Sequence, residues 1–306
     1  MERQLEEFAL YLNGERKASH YTIRNYISDL QPFLEFANSR GVSSPDGVGR
    51  ELIRAYLTNL AEQMYSKRSI ARKLSALRSF FRFLLLFGKA TRNVAASTSS
   101  PKLDKPLPEF LQQEAAGRLL EAPNTATDLG IRDRAILEVV YAAGLRVSEV
   151  VGIDVGDINI SAREVRVLGK GNKERLSFIG RPAQLWVKRY LSEVRPNLLQ
   201  KPNDRALFLS IRGDRLNVRS IQLLIKRYSR IAGLSASVHT HTVRHSFATH
   251  MLDGGADLRV VQELLGHTSL GTTQIYTHIT QAEARKVYLN AHPLAKSQKR
   301  TEDQNA

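Results

Sequence analysis

The chemistry of this 306-residue sequence is densest between positions 239 and 276, HTHTVRHSFATHMLDGGADLRVVQELLGHTSLGTTQIY. His241, Arg244, His267 and Tyr276 all fall in that segment. The first three bind anions or donate protons; the last is a phenol. With an ordinary pKa near ~10, a phenol is a poor nucleophile at neutral pH. Among cationic donors its oxygen becomes an attacking group suited to a phosphodiester. His241, Arg244 and His245 are spaced i, i+3 and i+4, which places them on one helix face.

Two further cations stand upstream. Arg146 follows Gly144 by two residues and opens a helix whose buried side carries Val147, Val150 and Val151. The helix dipole disfavours a cation at an N-terminus. An arginine there, beside free N–H groups, builds an anion site; the plainer reading is a surface arginine. Glu149, three residues on, is placed to hold its guanidinium. At 163–179 the period changes from 3.6 to 2, and REVRVL, GKGNK and ERLSFI read as a hairpin with Lys170 at its tip. Taken alone, that lysine is a solvated turn residue, Tyr276 a core residue, and each histidine a satisfied helix residue. Their combination points to chemistry. Histidines at 239, 241, 245, 250, 267 and 278 raise the question of zinc, but there is no H-E-x-x-H, no cysteine and few acidic residues to complete a shell.

Elements must bring these groups together. The length suits two domains of ~150 residues, and 42% hydrophobic residues suffice for a core. A net charge of +15 predicts a polyanionic partner, foremost nucleic acid. The surplus is spread, with 17 basic against 10 acidic residues up to position 107 and 28 against 20 after it. The lack of cysteine excludes disulfides, thiolate metal sites and a Cys nucleophile. MERQLEEFALYL is charged and amphipathic rather than a signal, and no apolar run spans a bilayer, so a cytoplasmic protein without a membrane partner is expected.

Residues 1–90 read as a helical bundle. Ile23, Tyr26, Ile27, Leu30, Phe33, Leu34 and Ala37 recur at helical spacing after a candidate N-cap, Ser19. A shorter helix covers 50–65. In a third, Ile70, Leu74, Leu77, Phe80, Phe81 and Leu84 form an apolar stripe, leaving Lys67, Arg68, Arg72, Lys73, Arg78 and Arg82 outside. No acidic residue lies between 67 and 89 to pair with them along the helix. That basic face is therefore expected on phosphates, positioning the protein without reading sequence. Residues 91–108 lose periodicity and carry three prolines, as a linker does. A domain at 109–295 follows: helices at 110–121, 131–143 (stopped by Gly144), 182–191 and 218–231, a short strand at 206–209, and a helix from 239 or 240 to 253. Asp257 caps another helix that Gly266 ends, a short helix carries Tyr276, and an amphipathic helix lies within 281–295. Residues 296–306 are polar and read as a disordered tail.

The stretches GLRVSEVVGI, LGKGNKERLSFI and HTVRHSFATHMLDGGADLRVVQELLGHTSLGTTQIYTH resemble the first arginine box, the lysine hairpin and the second box of the tyrosine recombinase (phage integrase) family, in particular its Xer (XerC/XerD-like) branch. The resemblance covers nearly the whole chain. It implies a mainly α fold with a small β-hairpin or sheet, arranged as a two-domain C-shaped clamp: an N-terminal SAM-like helical bundle that binds core DNA, and a mixed α+β catalytic domain. Arg146, Lys170, His241, Arg244, His267 and Tyr276 match the family's six active-site residues. Tyr276 would form a 3′-phosphotyrosyl link, the arginines would hold the non-bridging oxygens, and Lys170 would protonate the leaving 5′-oxygen. His241 would serve as acid/base and His267 would bond the phosphate. No metal, ATP or other cofactor is implied. The implied partners are double-stranded DNA with a dif-like site, self or a paralogous recombinase in a synaptic tetramer entered through the C-terminal tail, and a cell-division DNA translocase. The implied role is resolving chromosome or plasmid dimers; the alternative is the integrase of a phage, transposon or integron, which usually carries an additional domain or insertions. Val243 replaces the usual leucine and His239 is an extra histidine, departures expected to alter packing at most.

Overall fold

Among the described residues, the N-terminal part of the chain is built from four helices: α1 (Glu2–Gly14), α2 (His20–Ser39), α3 (Arg50–Glu62) and α4 (Lys67–Leu86). The computed structural model describes residues 1–103, 110–169, 174–201, 204–266 and 280–295. The chain divides into two units, Met1–Pro106 and Leu107–Ala306. In the first, Ser19 caps α2 and Ser66 caps α4, each hydroxyl accepting a backbone N–H three residues on. The core is aromatic: the Phe8 ring meets Phe80 edge-on at 5.5 Å and tilts against Phe83 at 5.3 Å.

Helix α4 corrects the expected basic face. Lys73 is buried, its ammonium 3.3 Å from the Asp29 carboxylate of α2, and Arg72 reaches the same carboxylate at 2.9 Å. A buried charge needs a partner, and this one comes from another helix, so a search along α4 alone could not find it. Arg78 turns inward and donates to the carbonyls of Ala95 and Thr98. Lys73 and Arg78 are thereby withdrawn from the face expected to meet phosphates, whereas Lys67, Arg68, Arg72 and Arg82 remain exposed. The carbonyls that Arg78 holds lie in and beside a 3₁₀ turn, Val94–Ser97, with Val94 and Ala95 buried. The start of the stretch expected as a linker is thus part of the first unit's packing.

The second unit is helical with one small sheet. Helix α5 (Gln113–Glu121) precedes α6 (Asp128–Ala142), which is buried around most of its circumference and forms the centre of the core. Gly144 ends α6 with φ +56°, and a Cβ there would lie 2.4 Å from the Phe247 ring, so glycine alone fits. Next come α7 (Val147–Gly152) and an antiparallel sheet ordered β1 (Ile158–Asn159), β2 (Glu164–Leu168), β3 (Glu174–Phe178). Register pairs Val165 with Ser177 and Val167 with Arg175. The hairpin was expected; β1 was not, being two residues long. The expected strand at 206–209 contributes only isolated bridges, Asp154 to Ala206 and Leu209 to Arg215.

Helix α8 (Arg181–Arg189) continues through a π turn (Tyr190–Val194) into α9 (Arg195–Leu198), longer than periodicity suggested. The remaining helices are α10 (Val218–Ile231), α11 (Thr240–Asp253), α12 (Leu258–Leu265) and α13 (Gln281–Ala291). Asp257 caps α12 and Gly266, at φ +65°, ends it. The expected helix around Tyr276 and the tail at 296–306 lie outside the described residues. No helix among those described is long and apolar enough to cross a membrane.

Candidate active site

Arg146 occupies the N-cap of α7. Its backbone N–H donates to Glu149 Oε2 at 2.8 Å and its Nη1 donates to Oε1 at 2.8 Å, so one carboxylate fixes both ends of the residue. Glu149 also offsets the repulsion between the guanidinium and the helix dipole. Arg244 arrives from α11, three residues after His241. It is buried, with Nη1 donating to Gly144 O at 2.7 Å and Nη2 to Leu265 O at 2.6 Å. Arg146 reaches the same Leu265 carbonyl, weakly, at 3.4 Å. Two arginines about a hundred positions apart therefore meet at the C-terminus of α12, where orphan carbonyls attract cations.

A third guanidinium, Arg175 on β3, lies beneath them. It forks onto Glu149 with two bonds of 2.9 Å and sends Nε to Leu264 O at 2.9 Å. In the sequence it reads as an ordinary polar position of a strand, with no mark that sets it apart. Burial would raise the Glu149 pKa, but the bonds and charge of Arg175, with the bonds from Arg146, outweigh burial and hold it below the usual carboxylate range. Burial, then the charge of Arg146, draws Arg244 down to about 10, opposed by Glu149, and it remains cationic at neutral pH. Three guanidiniums against one carboxylate leave two positive charges in this cluster. Such a surplus, a third exposed at Arg146, suits an anion with several oxygens.

His241 begins the exposed side of α11. Partial burial lowers its pKa first, then the charges of His239, Arg244 and Arg146, so its imidazole is neutral at neutral pH. His239 does more than pack: its ring accepts the Thr242 N–H as the N-cap of α11, and it helps depress His241. The expectation that this extra histidine alters packing alone is corrected accordingly. His250 and His292 are buried structural residues, the former bonded to the Tyr141 hydroxyl at 2.8 Å. Among the described residues, no group of three or more His, Asp or Glu is gathered to hold a metal. Lys170, His267 and Tyr276 lie outside the described residues, the first between β2 and β3 in sequence and the others in the segment that follows α12 in sequence. Elsewhere in the unit, α10 exposes Arg219, Lys226, Arg227 and Arg230 and contains no acidic residue.

In fold, a mainly helical chain with one small sheet, this protein is matched by solved DNA recombinases. The Phage integrase family model matches residues 109–283, and the model for the phage integrase N-terminal SAM-like domain matches 5–87. The chain is 43% identical to Tyrosine recombinase XerC of Oceanobacillus iheyensis, over 98% of this chain and 99% of that one. It is 44% identical to Tyrosine recombinase XerD of Pseudomonas aeruginosa, over 93% and 95%. Among solved structures, XerH site-specific recombinase bound to its difH substrate superposes with a TM-score of 0.67 at 25% identity, covering 94% of this chain and 83% of that one. The chain belongs to the phage integrase family, as a tyrosine recombinase of the Xer type that cleaves and rejoins DNA.

Proposed function

We propose that this recombinase acts at a dif-like site, resolving chromosome or plasmid dimers, with Tyr276 as its nucleophile. In this reading the Tyr276 oxygen attacks the scissile phosphorus, forms a 3′-phosphotyrosyl bond and releases a 5′-hydroxyl. Arg146 and Arg244 hold the non-bridging oxygens as charge develops. Lys170 protonates the departing 5′-oxygen, neutral His241 takes the phenolic proton, and His267 bonds the phosphate. The phosphotyrosyl bond conserves the energy of the phosphodiester it replaces, so rejoining needs neither ATP nor a metal. Exchange of two duplexes repeats the step four times, which a tetramer of this chain, or of this chain with a paralogue, would provide. The observation that carries the reading is the arginine pair converging on the end of α12, from which the chain runs directly to positions 267 and 276. The XerH relative, solved on its difH duplex, supports the substrate.

A nicked suicide duplex carrying a dif-like site tests this. The wild type should form a covalent protein–DNA adduct in EDTA, and Tyr276→Phe should form none. An adduct that persists in Tyr276→Phe, or one abolished by EDTA, contradicts the reading.

A further inference from the structure

We infer that Arg175 is a positioning residue of the recombinase site: it locks Glu149 and the last carbonyls of α12 together, and thereby sets where Arg146 and Arg244 stand. The inference rests on the recombinase reading for its chemistry and on geometry for its substance.

Arg175 is not built to bind phosphate. All three of its nitrogens are committed, and 11% of its side chain is exposed against 32% for Arg146. Its stem lies over Gly266, where a Cβ would come within 3.1 Å of Arg175 Cδ. Glu149 has about four lone-pair positions. Arg175 takes two in a planar fork, and the Arg146 backbone and Nη1 take the others. The carboxylate is saturated, and Arg244, 3.7 Å away, is held by its charge without being bonded. Removing Arg175 frees two lone pairs, and Arg244 is the nearest cation not already bonded to the carboxylate. Glu149 would close on it and draw it from the Gly144 and Leu265 carbonyls. Arg175 is also the second residue of β3, paired with Val167 one rung from the end of the β2–β3 ladder that Lys170 follows in sequence. One side chain therefore ties the lysine hairpin, the N-cap of α7 and the C-terminus of α12.

The test is single-turnover adduct formation on the suicide duplex by Arg175→Ala, Arg175→Lys and Glu149→Gln/Arg175→Ala, with duplex affinity and melting temperature measured alongside. Arg175→Ala should slow cleavage roughly 10- to 100-fold, the range for outer-shell partners of metal centres, with affinity within about 2-fold of wild type. Arg175→Lys should not restore the rate, because one ammonium cannot span both carboxylate oxygens and Leu264 O. Added guanidinium should partly rescue Arg175→Ala and leave the wild type unchanged. In Arg175→Ala the Glu149 carboxyl loses its fork, keeping only Arg146 and Arg244, and titrates higher. The rate should then fall more steeply below neutral pH than in the wild type, and the double variant should lose that added steepness and keep only the limb set by His241. Wild-type rates and pH profiles in both single variants overturn the inference, as does a loss of rate that follows melting alone, without rescue. Should Arg175→Ala not fold, the double variant, which buries no unpaired carboxylate, decides by the same rate and rescue measurements. If the wild type itself forms no adduct, the recombinase reading fails. The positioning role is then judged by whether Arg175→Lys weakens the effect of inorganic phosphate on the Arg244 Nε–H resonance.

Discussion

His241 and Arg244 share one face of α11, and their surroundings set opposite protonation states: the arginine stays charged though buried, and the histidine is neutral because burial and its cationic neighbours disfavour a further charge. If His241 accepts the Tyr276 proton, adduct formation should fall as pH drops through its depressed pKa, below the ordinary 6.5. His239 is a cause of that depression that a substitution can remove while sparing the cap, because asparagine caps helices well. His239→Asn should therefore shift the acid limb of the cleavage profile toward 6.5, measured as adduct rate against pH. An unmoved limb would assign the depression to burial and the arginines alone. At Arg244, replacement by lysine should cost roughly 10²- to 10³-fold in cleavage rate. One ammonium cannot bond Gly144 O and Leu265 O and also meet a phosphate. These roles were partly legible in the sequence, since spacing alone put His241 and Arg244 on one face and Glu149 within reach of Arg146. Arg175 was not legible, because its partners Glu149 and Leu264 lie on other elements and strand alternation gives an inward arginine no mark.

At the scale of elements, the helices declared themselves through period and caps: Ser19, Asp257, Gly144 and Gly266 all stand where the chain starts or stops a helix. What stayed hidden depends on contacts between elements, such as Asp29 pairing with Lys73, or the short β1 edge that extends the hairpin. Helix α13 is a further instance. Its amphipathic pattern announced the helix, but not its own contacts: Tyr288 is buried, stacked on His292 at 5.1 Å and tilted against Phe178 at 5.8 Å. Tyr288→Ala should cost about 3–5 kcal/mol in urea unfolding, as aromatic truncations in a core do. Burial, then the charge of His250, lowers the His292 pKa to about 3. Unfolded, the same imidazole titrates near 6.5. The unfolded chain alone takes this proton between those values, so stability is full above about 6.5 and declines as pH falls toward 3. The slope is about 1.4 kcal/mol per pH unit for one histidine. His292→Phe keeps a ring against Tyr288 and should flatten that dependence in urea midpoints compared at pH 7.5, 6.0 and 5.0.

For the whole molecule, the surplus of +15 is the quantity that a polyanion senses. Each phosphate neutralised on a duplex contributes about 0.9 to the slope of log affinity against log salt. Only cations that reach solvent can contribute, and the structure sorts them. Arg68 and Arg82 on α4, and Arg219, Lys226 and Arg230 on α10, are exposed, whereas Lys73 neutralises Asp29 inside the first unit. Replacing any one exposed arginine with glutamine should lower the salt slope by about one unit if that residue meets a phosphate, and should affect specific and non-specific duplexes alike. Lys73→Met should behave differently. It leaves Asp29 with Arg72 as its counter-ion, lowers the melting temperature, and leaves the slope unchanged. If instead Lys73→Met flattened the slope while Arg68→Gln and Arg82→Gln did not, the DNA-facing side of α4 would have to be the side that packs on α2. Adding the α10 substitutions to those of α4 separates one footprint from two. Summed slope changes mean that both units contact the same duplex, and a plateau at the value of either helix alone restricts the electrostatic contact to a single unit.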